Sequence, residues 1–408
     1  GMETVSITTG IAGSTLTALT ADAITTLTVA GDQDLSIATA LNFVGTGAIN
    51  GTVDASAFTG GLTLNLSTAE VVSATGGSGA DTFALNATIT KDDIIDGGEG
   101  SSSDTLAITI GAETLDATAT TGELIGVSNI ETVRLTSSDT SDASTLDVKA
   151  LTGVTDVSVA GMLSVDLGES VTTGDVVSFT LNGTALTSTI ADGTNDTTVG
   201  TSIVATINGA NLGVTAVNTA GVVTLTPTTA GSVNLSAMVN DTSAARTLTS
   251  TTTANSNDHA ITVTNMTTQS VTVLGGASNQ GAATNSGVLD LSLTDASGAA
   301  DTMTVNLSAD AQNKAVNHDL DALTTSLIES LTLTSNGLSA GKVQSVTALQ
   351  GGSALTELTI TGSSALTISD HGTSNTKLAT INASAFTGDL TLSDAVATLA
   401  QTITTSTG

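Results

Sequence analysis

A short glycine-rich stretch that ends in an aspartate carries the clearest chemical pattern in this sequence. Residues 76–84 read GGSGADTFA and match the nonapeptide G-G-x-G-x-D-x-U-x. The glycines allow a turn that points carbonyl oxygens inward, Asp81 adds a carboxylate, and Phe83 would anchor the loop in the core. Such oxygen ligands suit Ca2+, which takes about six to eight of them, so one loop is not enough.

A second loop of related composition lies between residues 92 and 106, which read DDIIDGGEGSSSDTL. It repeats the glycine pattern, places Asp104 two residues later than in the first loop, and adds the densest acid cluster in the chain. Together the two loops predict a calcium site; the alternative interpretation is a solvated acidic turn. The predicted site residues are Gly76, Gly77, Gly79, Asp81, Asp92, Asp93, Asp96, Gly97, Gly98, Glu99, Gly100 and Asp104.

Little else in the sequence could do chemistry, and we predict that the chain is not an enzyme and has no catalytic residue. The segment GLSAG around Ser339 matches a nucleophile elbow, but a strand-like repeat follows it where the elbow needs a helix. A segment with Asp295 and Asp301 has lost most of its glycines and is interpreted as a plain turn. Three histidines show no metal-ligand spacing, and surface or turn positions are expected for His259, His318 and His371.

The composition narrows the possible partners. The chain has 7 Lys+Arg against 38 Asp+Glu, a net charge of −31, which repels nucleic-acid phosphates and anionic membranes. Hard cations are the natural counter-ligands of such a surface. Cysteine is absent, which excludes disulfides and thiolate chemistry, and no apolar run reaches the length of a membrane span. Because Trp and Tyr are also absent, the aromatic platforms of carbohydrate clefts are missing.

The elements that must position these loops are short repeated strands. Residues 54–67, DASAFTGGLTLNLS, recur as NASAFTGDLTLSD at residues 382–394. The runs alternate apolar residues with Thr, Ser or Asn, which is the two-residue period of a strand with one buried face. One run cannot bury its face alone, but stacked runs can. The pattern predicts a mainly β fold, an elongated parallel β-solenoid of the β-helix or β-roll kind; the alternative is an antiparallel sandwich.

A change of texture predicts a small α+β domain inserted into this solenoid. Val177, Phe179 and Leu181 alternate before an Asn-Gly turn, and a second hairpin ends at Pro227. Between the hairpins, three apolar residues spaced by four predict an amphipathic helix: Val199, Ile203 and Ile207. The predicted boundaries are residues 1–167, 168–258 and 259–408. The inserted stretch SIVATINGANLGVTAVNTAGVVTLTPTTAGS resembles the Ile-Asn insertion modules of flagellins and of large bacterial surface proteins, which implies a spacer or an exposed decoration without chemistry.

The glycine–aspartate loops, the strands NIETVRL and IESLTL and the SAFTG repeats resemble RTX-type S-layer proteins and large adhesins of Gram-negative bacteria. This resemblance implies type I secretion, a location on the bacterial cell surface, and folding outside the cell on Ca2+. It also implies assembly into a lattice in which calcium bridges subunits. By this resemblance, the glycines of both loops and the two aspartates Asp81 and Asp104 occupy the family's loop positions.

The expected function is therefore a calcium-stabilised subunit of a bacterial S-layer or extracellular filament that assembles through contacts between identical chains. The first alternative is the stalk of a secreted adhesin, which shares all of these features. A less favoured one is a secreted polysaccharide-active enzyme on a β-helix. The expected partners are copies of the same chain, with lipopolysaccharide or another surface glycan bound through a region beyond this sequence, and neither nucleic acid nor a membrane span.

Overall fold

A computed structural model describes most of the chain, and it divides into two compact units. The described residues are 3–16, 19, 24–37, 40–45, 47–66, 70–86, 89–110, 114–115, 122–137, 144–149, 151, 153–161, 163–167, 173–181, 183–191, 195–210, 212, 214–219, 222–227, 234–235, 239–240, 250–254, 260–266, 269–274, 278–279, 284–285, 288–309, 314, 317–393 and 400–405. Unit 1 comprises Gly1–Thr136, Ala143–Ser158 and Thr262–Gln269, and unit 2 comprises Ser137–Asp142, Val159–Ile261 and Ser270–Gly408.

In unit 1 the chain alternates between two parallel sheets. Sheet A contains, in spatial order, β1 (Thr4–Thr8), β3 (Thr26–Ala30), β5 (Gly51–Asp54), β7 (Val72–Thr75), β9 (Ile94–Asp96) and β12 (Val127–Ser128). Sheet B contains β2 (Ser14–Leu16), β4 (Leu35–Ile37), β6 (Leu62–Asn65), β8 (Thr82–Asn86), β10 (Thr105–Ile110), β13 (Thr132–Ser137) and β15 (Asp156–Gly161). Each coil thus places one strand in each sheet.

The alternating side chains explain why these strands stack. Strand β3 places Leu27 and Val29 in the core and turns threonines outward. Thr26 lies opposite Thr4 on one side and Thr52 on the other, so like residues stack from coil to coil. Because the inward faces of both sheets are apolar, the core is a column of Leu, Val, Ile and Ala between them, together with the buried Phe43, Phe58 and Phe83.

A third sheet joins the later coils of unit 1. Sheet C orders β11 (Thr114–Leu115), β14 (Ser144–Asp147) and β24 (Ala260–Met266), of which β11 and β14 pair in parallel. The chain therefore visits sheets A, B and C in turn through β9, β10 and β11, and again through β12, β13 and β14. The amide of Val148 donates to the carbonyl of Thr264 at 3.2 Å. Among the described residues, these coils have strands on three faces, where the earlier coils have strands on two.

Unit 2 contains a small α+β module. Its strands are β16 (Leu163–Leu167), β17 (Val176–Leu181), β18 (Thr184–Thr189), β19 (Val214–Thr219), β20 (Val222–Pro227), β21 (Asn234–Leu235), β22 (Val239–Asn240), β23 (Ser250–Ala254) and β26 (Ser278–Asn279), with helix α1 (Asp196–Ala210). The order β19-β20-β16-β23 forms one sheet and β18-β17-β21-β26 another, with β22 beside β17.

Both hairpins and the helix of this module are confirmed. Strands β17 and β18 pair antiparallel, as do β19 and β20. Gly183 has φ 78°, as an Asn-Gly hairpin turn requires, although Asn182 lies outside the described residues. Helix α1 begins after Asn195, whose side chain accepts the amide of Thr198 at 3.0 Å and caps it. The three predicted helix residues are buried in the module core: Val199, Ile203 and Ile207.

The rest of unit 2 is again built from parallel strands. One sheet orders β25 (Ser270–Leu274), β29 (Thr302–Ser308), β31 (Ser330–Ser335), β33 (Glu357–Gly362), β35 (Thr380–Ala383) and β37 (Thr402–Thr405). The other orders β28 (Val288–Leu293), β30 (His318–Thr325), β32 (Val343–Gln350), β34 (Ala365–Ile368) and β36 (Leu390–Leu392), with β27 (Thr284–Asn285) beside β30. Thr332 lies opposite Thr304 and Thr359, so outward threonines form rows here too.

The predicted parallel β-solenoid is confirmed, and the antiparallel sandwich is wrong. Within the described chain, antiparallel pairs join strands of the α+β module, while the repeated runs pair in parallel. The two SAFTG repeats form equivalent turns, because Phe58 bridges Gly31 and Phe386 bridges Gly362 in the same way. No helix in the described part of the chain has both the length and the apolar character needed to cross a membrane.

Candidate calcium-binding loops

The two predicted loops lie at the same edge of the solenoid. Residues 76–81 connect β7 to β8, and residues 97–104 connect β9 to β10, so each leads from sheet A to sheet B. Since the strands are parallel, the loops of successive coils stack. Asp92 and Asp93 instead precede β9 and lie at its other end, roughly 10 Å away along a three-residue strand. The structure therefore separates these two acids from the remaining predicted site residues.

The glycines of both loops are explained by the close approach of neighbouring coils. A Cβ on Gly77 would lie 1.9 Å from the carbonyl oxygen of Phe58, and one on Gly97 would lie 1.8 Å from that of Asn129. Gly98 also has φ +107°, a backbone conformation that residues with a side chain rarely adopt. Backbone approaches below 3 Å also affect Gly76, Gly79 and Gly100. Glycine is thus required here by coil packing, independently of any bound ion.

Asp81, the aspartate of the first loop, uses both of its carboxylate oxygens within the chain. Oδ1 accepts the amide of Leu62 at 2.8 Å, and Oδ2 accepts the amide of Gly77 at 2.6 Å. The residue is fully buried. Burial raises the pKa of Asp81, and the two backbone hydrogen bonds oppose that shift in part.

Asp104, the aspartate of the second loop, accepts fewer hydrogen bonds than Asp81 does. Oδ1 accepts the amide of Asp81 at 2.7 Å, while in the part of the chain that the structure describes no donor reaches Oδ2. The amide of Gly98, which corresponds to that of Gly77, donates to Asp96 Oδ1 at 3.1 Å. Burial raises the pKa of Asp104 to about 7, and the carboxylates of Asp81, Glu131 and Asp96 add to the shift by repulsion.

The other predicted acids have different surroundings. Asp96 Oδ1 also accepts the side-chain amide of Asn129 at 2.7 Å, and Glu99 is exposed. At the opposite edge, Asp93 is buried; Oδ1 accepts the amide of Val72 and Oδ2 that of Thr90, both at 2.7 Å. The exposed Asp92 pairs with its neighbour Lys91.

These contacts decide which loop could hold a cation. In the first loop the carboxylate is closed off by backbone donors, so it does not fit the oxygen-rich shell of Ca2+. In the second loop Asp96 and Asp104 each keep an oxygen that accepts no hydrogen bond from a described residue. No group of three or more His, Asp or Glu suited to a metal occurs among the described residues, so carbonyl oxygens and water would have to complete the shell. Calcium binding by the loops stays a prediction.

The sequence interpretation missed a column of structural carboxylates at this edge. Asp34, Asp81, Asp104 and Glu131 each stand directly before a strand of sheet B. The amide of Gly61 donates to Asp34 Oδ1 at 2.8 Å, and the amide of Asp104 donates to Glu131 Oε2 at 2.8 Å. We call these four residues the carboxylate column. The signal available in the sequence was the recurrence of Asp or Glu immediately before alternate strand-like runs.

The same arrangement occurs in unit 2, where the glycine pattern is absent. Asp301 and Glu329 stand directly before β29 and β31, and the amide of Asp301 donates to Glu329 Oε2 at 2.9 Å. Asp295, by contrast, makes a local turn in which it accepts the amide of Ser297 at 3.0 Å. Asp301 is therefore part of a coil-to-coil contact, whereas only a plain turn was expected.

The remaining chemical candidates are structural. His318 is buried in the strand β30, so the expectation of a surface or turn position is wrong for it; His371 is buried too but lies in a bend between β34 and β35, and His259 lies outside the described residues. Nδ1 of His371 lies 2.8 Å from the carbonyl oxygen of Ser393, which fixes the ring within the solenoid. Ser339 lies in a turn before the strand β32, not before a helix as a nucleophile elbow requires.

The fold defines a class, a parallel β-solenoid with an α+β module. No family model, no curated protein and no solved structure matches this chain. The two family resemblances drawn from the sequence therefore rest on the quoted residues alone. The stacked coils and the acidic loops are the features of the molecule that bear on its function.

Proposed function

We propose that the protein is a structural component of a bacterial cell surface, a subunit of an S-layer or extracellular filament assembled from identical chains. The observation that supports this best is the in-register stacking of coils in both units. It produces a scaffold whose strand groups are hydrogen-bonded coil to coil and whose outward positions are mainly Thr and Ser.

The outward faces suit repeated contacts between copies. In β31 and β33 the outward residues include Thr332, Thr334, Thr359 and Thr361, of which Thr332 lies opposite Thr359 and Thr334 opposite Thr361, while Ser330 lies opposite Glu357. Threonine is stiff about χ1, so such rows lose little conformational entropy when another surface packs on them. Identical chains that present the same rows can associate by the same contact repeatedly.

The negative charge of the chain is the reason why we expect assembly to depend on calcium. At a net charge of −31, copies of the chain repel one another, and a divalent cation would reduce that repulsion. The second loop is the favoured place, because Asp96 and Asp104 retain carboxylate oxygens there and Glu99 is exposed beside them. Extracellular calcium modules typically have Kd values of about 10⁻⁴–10⁻³ M, so millimolar calcium is the relevant range.

Light scattering during a calcium titration, with thermal melting in parallel, tests the proposal. The purified chain is expected to stay dispersed in EDTA and to form particles reversibly in millimolar calcium. Asp96→Asn should weaken this response, because it removes one carboxylate oxygen of the second loop but keeps Oδ1 for its two donors. Asp92→Asn is the matched control, since it removes the same charge at the opposite edge.

The adhesin stalk is the alternative that this experiment separates. A rise in melting temperature without particle growth would favour a stalk over an assembling subunit. If neither melting nor scattering responds to calcium, the calcium-dependent assembly is wrong.

A further inference from the structure

The carboxylate column joins coils that are distant in sequence. Asp81 contacts Leu62 in the preceding coil, and Asp104 contacts Asp81 in the same way, across 19 and 23 residues. Each bond joins an acid to a backbone amide at or directly before the start of a strand of sheet B. A charged acceptor makes such a hydrogen bond stronger than a neutral one does.

The contacts of Asp81 leave no place for an ion at the first loop. Its two oxygens lie 2.8 and 2.6 Å from the amides of Leu62 and Gly77, and its side chain is fully buried. A cation bound by this carboxylate would have to displace at least one amide. That amide would then be buried without a partner, which costs more than an average hydrogen bond contributes.

An equivalent acid-to-amide bond occurs in unit 2, where the glycine pattern of the two loops is absent. In unit 2, Glu329 accepts the amide of Asp301 at 2.9 Å, and Glu329's own carbonyl accepts the amides of Thr356 and Glu357 from the next coil. The contact therefore belongs to coil stacking itself. The glycines of unit 1 are a separate requirement of close backbone approach.

We propose that the column of acid-to-amide bonds holds the coils together in place of calcium, so that residues 76–81 bind no metal and the solenoid folds without it. This inference is independent of calcium-driven assembly, which concerns the second loop and contacts between copies. It departs from what the resemblance to RTX-type proteins implies, namely folding on calcium.

Refolding from urea in EDTA, and again in millimolar calcium, tests the inference on the whole chain. Circular dichroism should show the same strand content in both conditions. Asp81→Asn replaces one acceptor oxygen by an NH2 group that faces an amide donor. It should lower the folding equilibrium constant on the order of tenfold to a hundredfold, by the same factor with and without calcium. Asp92→Asn, at an exposed acid, is the control and should change it little.

If Asp81→Asn folds poorly, amide hydrogen exchange in a second variant still tests the inference. Glu329→Gln in unit 2 alters the equivalent bond away from both glycine loops, and it should speed exchange at the amide of Asp301 in EDTA and calcium alike. A wild-type chain that stays unfolded in EDTA would overturn the inference. So would an Asp81→Asn variant that folds normally but has lost a calcium-dependent gain in stability. Neither outcome bears on whether calcium-loaded chains assemble, so the two proposals fail separately.

Discussion

The first and second glycine loops join equivalent strands, yet they leave their aspartates in different states. Asp81 accepts one amide on each oxygen, whereas Asp104 accepts one amide in all, because the amide of Gly98 turns to Asp96 instead. Two differences in sequence accompany this: the second loop has two more residues between its glycines and its acid, and Asp96 stands in the register position that Thr75 has in the first coil.

This difference teaches that one sequence motif can serve two physical purposes. In the first loop both oxygens of the Asp81 carboxylate accept backbone hydrogen bonds, one of which links neighbouring coils. In the second it is buried beside other carboxylates; its desolvation, with a smaller contribution from their repulsion, raises the pKa of Asp104 to about 7. An acid in that state gains from a proton or a cation, whereas in the first loop two backbone hydrogen bonds partly offset the effect of burial on Asp81.

The largest effect is expected from the glycines, where the two loops should respond alike. Gly97→Ala places a Cβ 1.8 Å from a backbone oxygen, and Gly77→Ala places one at 1.9 Å. Each should cost about 3 kcal/mol of unfolding free energy, at the upper end of overpacking costs. Urea denaturation measures this. The control is helical Gly209→Ala, where nothing lies within 4 Å, and which should stabilise slightly. Equal stability of Gly97→Ala and wild type would contradict the coil packing.

The next effect should separate the loops. At pH 8, Asp81→Asn is expected to cost about 2 kcal/mol, because an amide donor is left facing NH2. Asp104→Asn should cost little or stabilise, because its carbonyl oxygen can still accept the amide of Asp81 and the repelling charge is gone. Chemical denaturation of both variants checks the order. Similar losses in both would mean that the two aspartates are equivalent after all.

A smaller effect concerns pH. The folded-state pKa of Asp104 lies near 7, above its ordinary value of 3.8, so the stability it contributes is present below about pH 4 and is lost as pH rises through 7. One pKa unit corresponds to about 1.4 kcal/mol, which bounds the slope per pH unit from this group. Melting temperatures from pH 5 to 8 should fall less steeply in Asp104→Asn than in wild type. Parallel curves would remove Asp104 from the explanation.

The smallest effect is the calcium response of the second loop. At a calcium concentration about five times Kd, binding adds about 1 kcal/mol to stability. Asp96→Asn should reduce that gain, and Asp81→Asn and Asp92→Asn should not, as isothermal titration calorimetry with each variant would show. If Asp81→Asn alone lowered the affinity for calcium, the first loop and not the second would be the one that binds calcium.

The repeats predicted more of the fold than of the site. The SAFTG repeats correctly indicated equivalent coils, since Ser56 and Ser384 donate to the side chains of Asp54 and Asn382 in the same turn. The spacing of apolar residues also predicted helix α1. The third face of the later coils of unit 1 was not predicted, because strands of two to four residues such as β11 and β14 carry too little periodicity.

The sequence by itself determined the parallel solenoid, because the two-residue period sets which side chains face inward and the repeats set which runs stack. It also determined where glycine and aspartate occur together. Only the tertiary structure decided what each aspartate does, because each accepts one amide from a neighbouring coil, 19 residues away for Asp81 and 23 for Asp104. Residue type and spacing cannot show that Asp81 accepts such an amide together with that of Gly77 in its own loop, whereas Asp104 accepts that of Asp81 alone among the described donors. That count of donors distinguishes an internal bond from an oxygen still available to a cation.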